Sequence, residues 1–171
     1  LQAAGVRRLH AIPGLDCAVA DRLAALVRQP GRSATVACPP PHPQRFSALN
    51  LALGALHRTG SETCAWNREH AERMEFLGHC DCALVPSEHG ELPPEWFEAL
   101  AAGALLLTNA MPDRIHFPPL PEALWETYAS PAELVERIGH LRAHPAEAAA
   151  RRAAAAAWFD RHLGEAARRA L

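Results

Sequence analysis

The segment Pro86–Asn109, PSEHGELPPEWFEALAAGALLLTN, gathers the side chains most able to do chemistry. Glu91 stands ahead of a short helical pattern and Glu98 stands inside it, seven residues later. A carboxylate can accept from two vicinal hydroxyls at once, and charge-assisted hydrogen bonds are the stronger kind. The helix start at Pro94–Trp96 brings unpaired N–H groups and a positive dipole end, which suit a diphosphate; Pro93 and Pro94 remove two of those donors. The plainer alternative is that Glu91, Glu95 and Glu98 complement the helix dipole on a solvated face, and spacing alone leans that way. Arg45 opens an earlier helical pattern, where its guanidinium fork suits bidentate phosphate contact or serves as an ordinary surface cation. Ser87-Glu88-His89 has the residue types of a hydrolase triad, but no G-x-S-x-G elbow accompanies it. His89 is open to two roles, touching a phosphate or sugar hydroxyl, or closing a loop. His79-Cys80-Asp81-Cys82 lacks the second ligand pair of a structural zinc site, so no metal is expected there. Thiols lining a sheet, with Cys80 and Cys82 on one face, are the expectation.

These residues need a scaffold, and the pattern supplies one. Strand-like runs at Ala34–Cys38, Thr63–Trp66, Cys82–Val85, Ala104–Thr108 and Leu124–Tyr128 alternate with helical stretches. The helices fall at Arg45–His57, Arg68–Gly78, Pro94–Ala102 and from Ser130 onward, with an Ala/Arg-rich tail from Pro145 anchored by Trp158, Phe159 and Leu163. Ser130-Pro131-Ala132-Glu133 is a capping box with proline in the first turn. Phe97, Leu100 and Ala101 make the apolar stripe of the Pro94–Ala102 helix, which points Glu98 away from the core. Trp96 reads as a packing residue or part of a face toward another domain rather than a stacking platform. The alternation predicts an α/β, Rossmann-like three-layer sandwich with a mainly parallel sheet. Ligands of such sheets bind beyond the carboxyl ends of the strands, which selects the loops around Pro39–Gln44, Trp66–Asn67, Pro86–Pro94 and Asn109–Phe117.

The chain has 171 residues, 49% of them hydrophobic and 21% charged, as globular domains do. With 17 basic and 19 acidic residues the net charge is −2, so no broad basic face is available for nucleic acid. Every basic residue is Arg, and about a fifth of the chain is Ala, which points to a GC-rich bacterial genome. The longest apolar run, Ala99–Thr108, is broken by Gly103 and is far shorter than the ~20 residues of a membrane span. Five cysteines in no secreted-domain spacing favour reduced thiols and a cytoplasmic location, with the inner membrane face as a peripheral alternative. The sequence opens on Leu1, which reads as a piece of a longer protein. There is no P-loop and no G-x-G-x-x-G.

At Glu91, Leu92, Pro93, Phe97, Glu98, Ala99, Leu100, Ala101 and Gly103 the sequence resembles the C-terminal domain of GT-B glycosyltransferases of the retaining, group 1 type. It is most similar to the spore-maturation-like branch, with its E-L-P-x-R-x-F-E-A-L-A-x-G motif. Arg8–Asp16 is similar to the linker leaving the N-terminal domain, Asp81–Ser87 to the strand before the motif, and Phe159–Leu171 to the last helix. The resemblance implies a linker or crossover over residues 1–30, a nucleotide-sugar-binding domain over 31–144, and a helical tail over 145–171 packing toward an N-terminal domain. It implies Glu98 on the ribose, Glu91 on the donor sugar and Arg45 on the diphosphate, with Ser87, His89 and Gly90 lining the donor. Glu91 and Glu98 are then the catalytic pair. The implied co-substrate is an NDP-sugar, with no cofactor and no bound metal, and the acceptor is a glycan, lipid or protein held by the N-terminal domain. The sequence departs from the family where Glu95 replaces the motif's Arg, where Gly90 stands eight before Glu98, and where one βα unit is absent between Gly60 and Asp81. Glu95 and the missing βα unit support the alternative of an inactive Rossmann-like interaction module within a larger protein.

Overall fold

The computed structural model describes residues 33–41, 47–66, 70–88, 93–109 and 125–163. Strand β1 (Ser33–Cys38) leads to helix α1 (Ala48–Arg58), then β2 (Thr63–Ala65), α2 (His70–His79) and β3 (Cys80–Leu84). Helix α3 (Pro94–Ala102), β4 (Leu105–Asn109), β5 (Trp125–Tyr128), α4 (Pro131–Ala143) and α5 (Pro145–His162) follow. The five strands form one sheet in the order β2-β1-β3-β4-β5, and all four pairings are parallel. That is the α/β architecture the strand–helix alternation predicts.

Each helix boundary has a local cause. The Ser47 hydroxyl accepts from Asn50 N at 3.2 Å, so α1 begins at Ala48 rather than at Arg45. Pro94 occupies the first turn of α3, and Gly103 ends it at φ 70°, a left-handed conformation that side-chain-bearing residues avoid. The Ser130 hydroxyl accepts from Glu133 N at 3.2 Å, and the Glu133 carboxylate reaches back to Ala129 N at 2.7 Å. The capping box therefore forms, with its return bond one residue earlier than the motif's usual target.

The core has two layers. Helices α2, α3 and α5 pack on one face of the sheet through Met74, Leu77, Phe97, Leu100 and Phe159. Helices α1 and α4 pack on the other through Leu49, Leu53, Leu134 and Ile138. In β4, Leu106 faces the first layer, and Leu105 and Leu107 the second, so this leucine run is buried on both faces. Helix α5 crosses between layers: Ala148 belongs with α4, whereas Ala155, Phe159 and Leu163 belong with α3. Trp96 is a packing residue, as expected, with its indole N–H donating to Val85 O at 2.8 Å and its ring 5.6 Å from that of Trp125. No helix among the described residues is long and apolar enough to cross a membrane.

Two expectations are corrected. Cys80, the first residue of β3 directly after α2, packs in the α2–α3 layer and Cys82 in the α1–α4 layer, so these thiols do not share a face. Glu98 does not point away from the core: α3 is buried from Trp96 through Ala102 because it is wedged between α2, β4 and α5.

Candidate functional site

The strand order reverses between β1 and β3, since β2 lies on one side of β1 and β3 and β4 on the other. Ligands of open parallel sheets bind beyond the carboxyl ends at such a point. Here that place is bounded by the segments after Cys38 and after Leu84, the second of which carries Ser87 and Glu88.

Glu88 reaches across the switch point. Its carboxylate accepts from Ala48 N at 2.8 Å and Leu49 N at 3.1 Å, occupying the positive end of α1 with an internal anion. The loop after β3 is thereby pinned to the helix after β1. Ser87 is buried, and its backbone is clasped by the Asn109 side chain: Ser87 N donates to Oδ1 at 2.8 Å, and Nδ2 donates to Ser87 O at 2.9 Å. Asn109 in turn pairs with Tyr128 at the end of β5. Glu88 and the Ser87 backbone thus anchor the loop.

Glu98 lies one turn into α3, 1% exposed, with both oxygens on one guanidinium. Arg73 Nε donates to Oε2 at 2.7 Å and Nη2 to Oε1 at 2.6 Å. Arg73 is itself in the first turns of α2, so the pair joins two helix starts on the carboxyl side of the sheet. By contrast α3 has no side-chain cap, because its N-cap residue is Pro93. Arg45, His89, Gly90 and Glu91 lie outside the described residues. Of the expected site residues, Ser87 and Glu98 are therefore the two that can be placed, and both stand at this edge.

Burial pushes the Cys38 thiol, at the end of β1, up to about 12, with Cys64 and Cys80 adding to the effect. Burial, reinforced by Asp81, likewise pushes Cys82 to about 12. Both stay protonated at neutral pH and are poor nucleophiles. No group of three or more His, Cys, Asp or Glu among the described residues is arranged to hold a metal ion. A cavity of about 330 Å³ lies at the opposite end, where Val36, Cys82, Ile138 and Leu141 meet the Arg152–Asp81 ion pair. It is remote from the switch point.

Sequence reading did not single out Arg73, Asn109 or Tyr128. The one available signal for Arg73 is that Glu98 is the sole charged residue in the run Trp96–Ala102, and a lone acid in an apolar stretch calls for a cation. Comparison with known proteins supplies a further constraint: the model of a family described as glycosyl transferase-like matches residues 21–170. No curated protein matches the chain.

Proposed function

The chain belongs to the glycosyl transferase-like family, and from that premise we propose that it is the donor-binding half of a GT-B, group 1 type enzyme of the spore-maturation-like branch. It binds an NDP-sugar over the carboxyl edge of the sheet, and a companion domain holds the glycan, lipid or protein acceptor. The observation that carries this reading is the switch point between β1 and β3, onto which α3 opens without a side-chain cap. Its positive dipole end and the Glu95 N–H are suited to the diphosphate, Pro93 and Pro94 having no N–H and Trp96 N donating to Pro93 O, with Arg45 as the accompanying cation and Glu91, His89, Gly90 and Ser87 on the sugar side. Stabilisation of the leaving diphosphate is the contribution of this half to transfer.

Glu98 is the ribose contact in this reading. A carboxylate offers about four acceptor positions, so ribose hydroxyls would share it with Arg73, which fixes its plane. The same buried ion pair favours the second reading, a non-catalytic interaction module in which Arg73–Glu98 only clamps α2 to α3.

Calorimetric titration of the 171-residue chain with UDP, GDP and their hexose conjugates separates the two. Donor binding predicts saturable binding of at least one nucleotide sugar, with the matching free nucleoside clearly weaker. No heat with any of them would leave the interaction module standing.

A further inference from the structure

Tyr128 ends β5 on the side of the sheet covered by α1 and α4, and is 5% exposed. Its hydroxyl is a buried polar atom with no hydrogen-bond partner among the described residues. A buried hydroxyl left unpaired is costly, and folded proteins retain few of them. A phenylalanine would fill the same space without that cost, so the oxygen calls for a partner beyond the described residues.

Its surroundings limit what that partner is. Tyr128 pairs with Asn109, Asn109 clasps Ser87, and the next residue, Glu88, sits on the first N–H groups of α1. The hydroxyl therefore belongs to the carboxyl edge, beside a fixed carboxylate. Burial, and secondarily the Glu88 charge, raise the phenol above its ordinary range, so it remains a donor at any physiological pH. The helix end that would ordinarily welcome a phosphate here already serves Glu88. An anionic group would meet like charge, whereas an alcohol accepts from the phenol without that repulsion.

We infer that the Tyr128 hydroxyl binds an uncharged, hydroxyl-bearing part of a ligand, the hexosyl end of the donor rather than its diphosphate. This rests on the donor-binding reading above and gives the ligand a direction: phosphates toward α3, sugar toward β5 and α1.

The test is Tyr128→Phe in the whole chain, titrated with UDP, GDP, UDP-glucose, UDP-N-acetylglucosamine and GDP-mannose, with a thermal melt alongside. For the conjugate that binds the wild type, affinity should fall about three- to tenfold, the effect of one neutral hydrogen bond. Binding of the matching sugar-free diphosphate should be unchanged, and the melting temperature should be equal or higher. Equal loss on both ligands, no loss on either, or a lowered melting temperature overturns the inference while leaving donor binding intact. A wild-type chain that binds none of the five ligands overturns the donor-binding reading itself, and this inference with it.

Discussion

Among the described residues two glutamates sit in the interior, Glu98 on α3 at 1% exposure and Glu126 on β5 at 7%, and arginines meet them in different ways. Glu98 has both oxygens on the single fork of Arg73. Glu126 divides its oxygens between two helices, Oε2 accepting from Arg137 of α4 at 3.4 Å and Oε1 from Arg151 of α5. Those arginines are more exposed and have second partners of their own, Glu133 and Glu147. The first arrangement sets both oxygens against one guanidinium and fixes a plane. The second is shared, so it ties β5, α4 and α5 together without depending on any one residue. A carboxylate held in one orientation at the loop edge is suited to recognition; a shared one at the sheet's flank is suited to holding the fold.

The sharpest way to break this contrast is Arg73→Ala. It removes both guanidinium bonds from a carboxylate that has almost no access to water, and removing one member of a buried pair costs about 3–5 kcal/mol. Urea unfolding would measure the loss. The double variant Arg73→Leu with Glu98→Leu should recover much of it, since well-packed apolar residues commonly replace a buried pair at little cost. A single variant as stable as the wild type would show that Glu98 reaches water or another cation.

Why the sequence reveals one side of this contrast and hides the other is a matter of range. Pro93-Pro94, Gly103 and Ser130-Pro131 act on their own helix ends: α3 begins and ends, and α4 begins, as those residues dictate. The all-apolar Leu105–Leu107 run is by itself the mark of a strand covered on both faces, and β4 is one. The orientation of Glu98 depends on three neighbouring elements and on a partner 25 residues away, and a periodic stripe carries no such information. Glu88 shows the same limit: its neighbours suggest a triad, while its carboxylate caps a helix 40 residues upstream. The Cys80 and Cys82 alternation fails because Cys80 is the first residue after α2, where strand alternation has only begun.

The shared arrangement is sharpened by Arg137→Ala. Glu126 keeps Arg151, and Arg137 is about half exposed, so the change should cost no more than about 1 kcal/mol, the usual ceiling for solvent-screened pairs. The same urea titration reads it. A loss approaching that of Arg73→Ala would mean that Arg151 does not compensate, and the contrast between the two glutamates would collapse.

The smallest effect belongs to Glu133, which borders the shared network and starts α4. Its carboxyl is held below the usual carboxylate range, first by the bond from Ala129 N and then by Arg137 at 3.1 Å. A depressed value means that the folded state favours the ionised form. The stabilisation is therefore present above the unfolded carboxyl value of about 4.3, and is lost as pH falls through the lower folded value. Glu133→Gln keeps an oxygen able to accept from Ala129 N and removes only the charge. Unfolding midpoints compared from about pH 7 to about pH 3.5 should show a slightly less stable variant at neutral pH, converging on the wild type as the solution is acidified. Because this carboxyl is partly exposed to solvent, the gap should be small and should shrink further in high salt. Parallel curves, with no convergence in acid, would mean that the ionised carboxylate contributes nothing to the start of α4 and that Ser130 caps it alone.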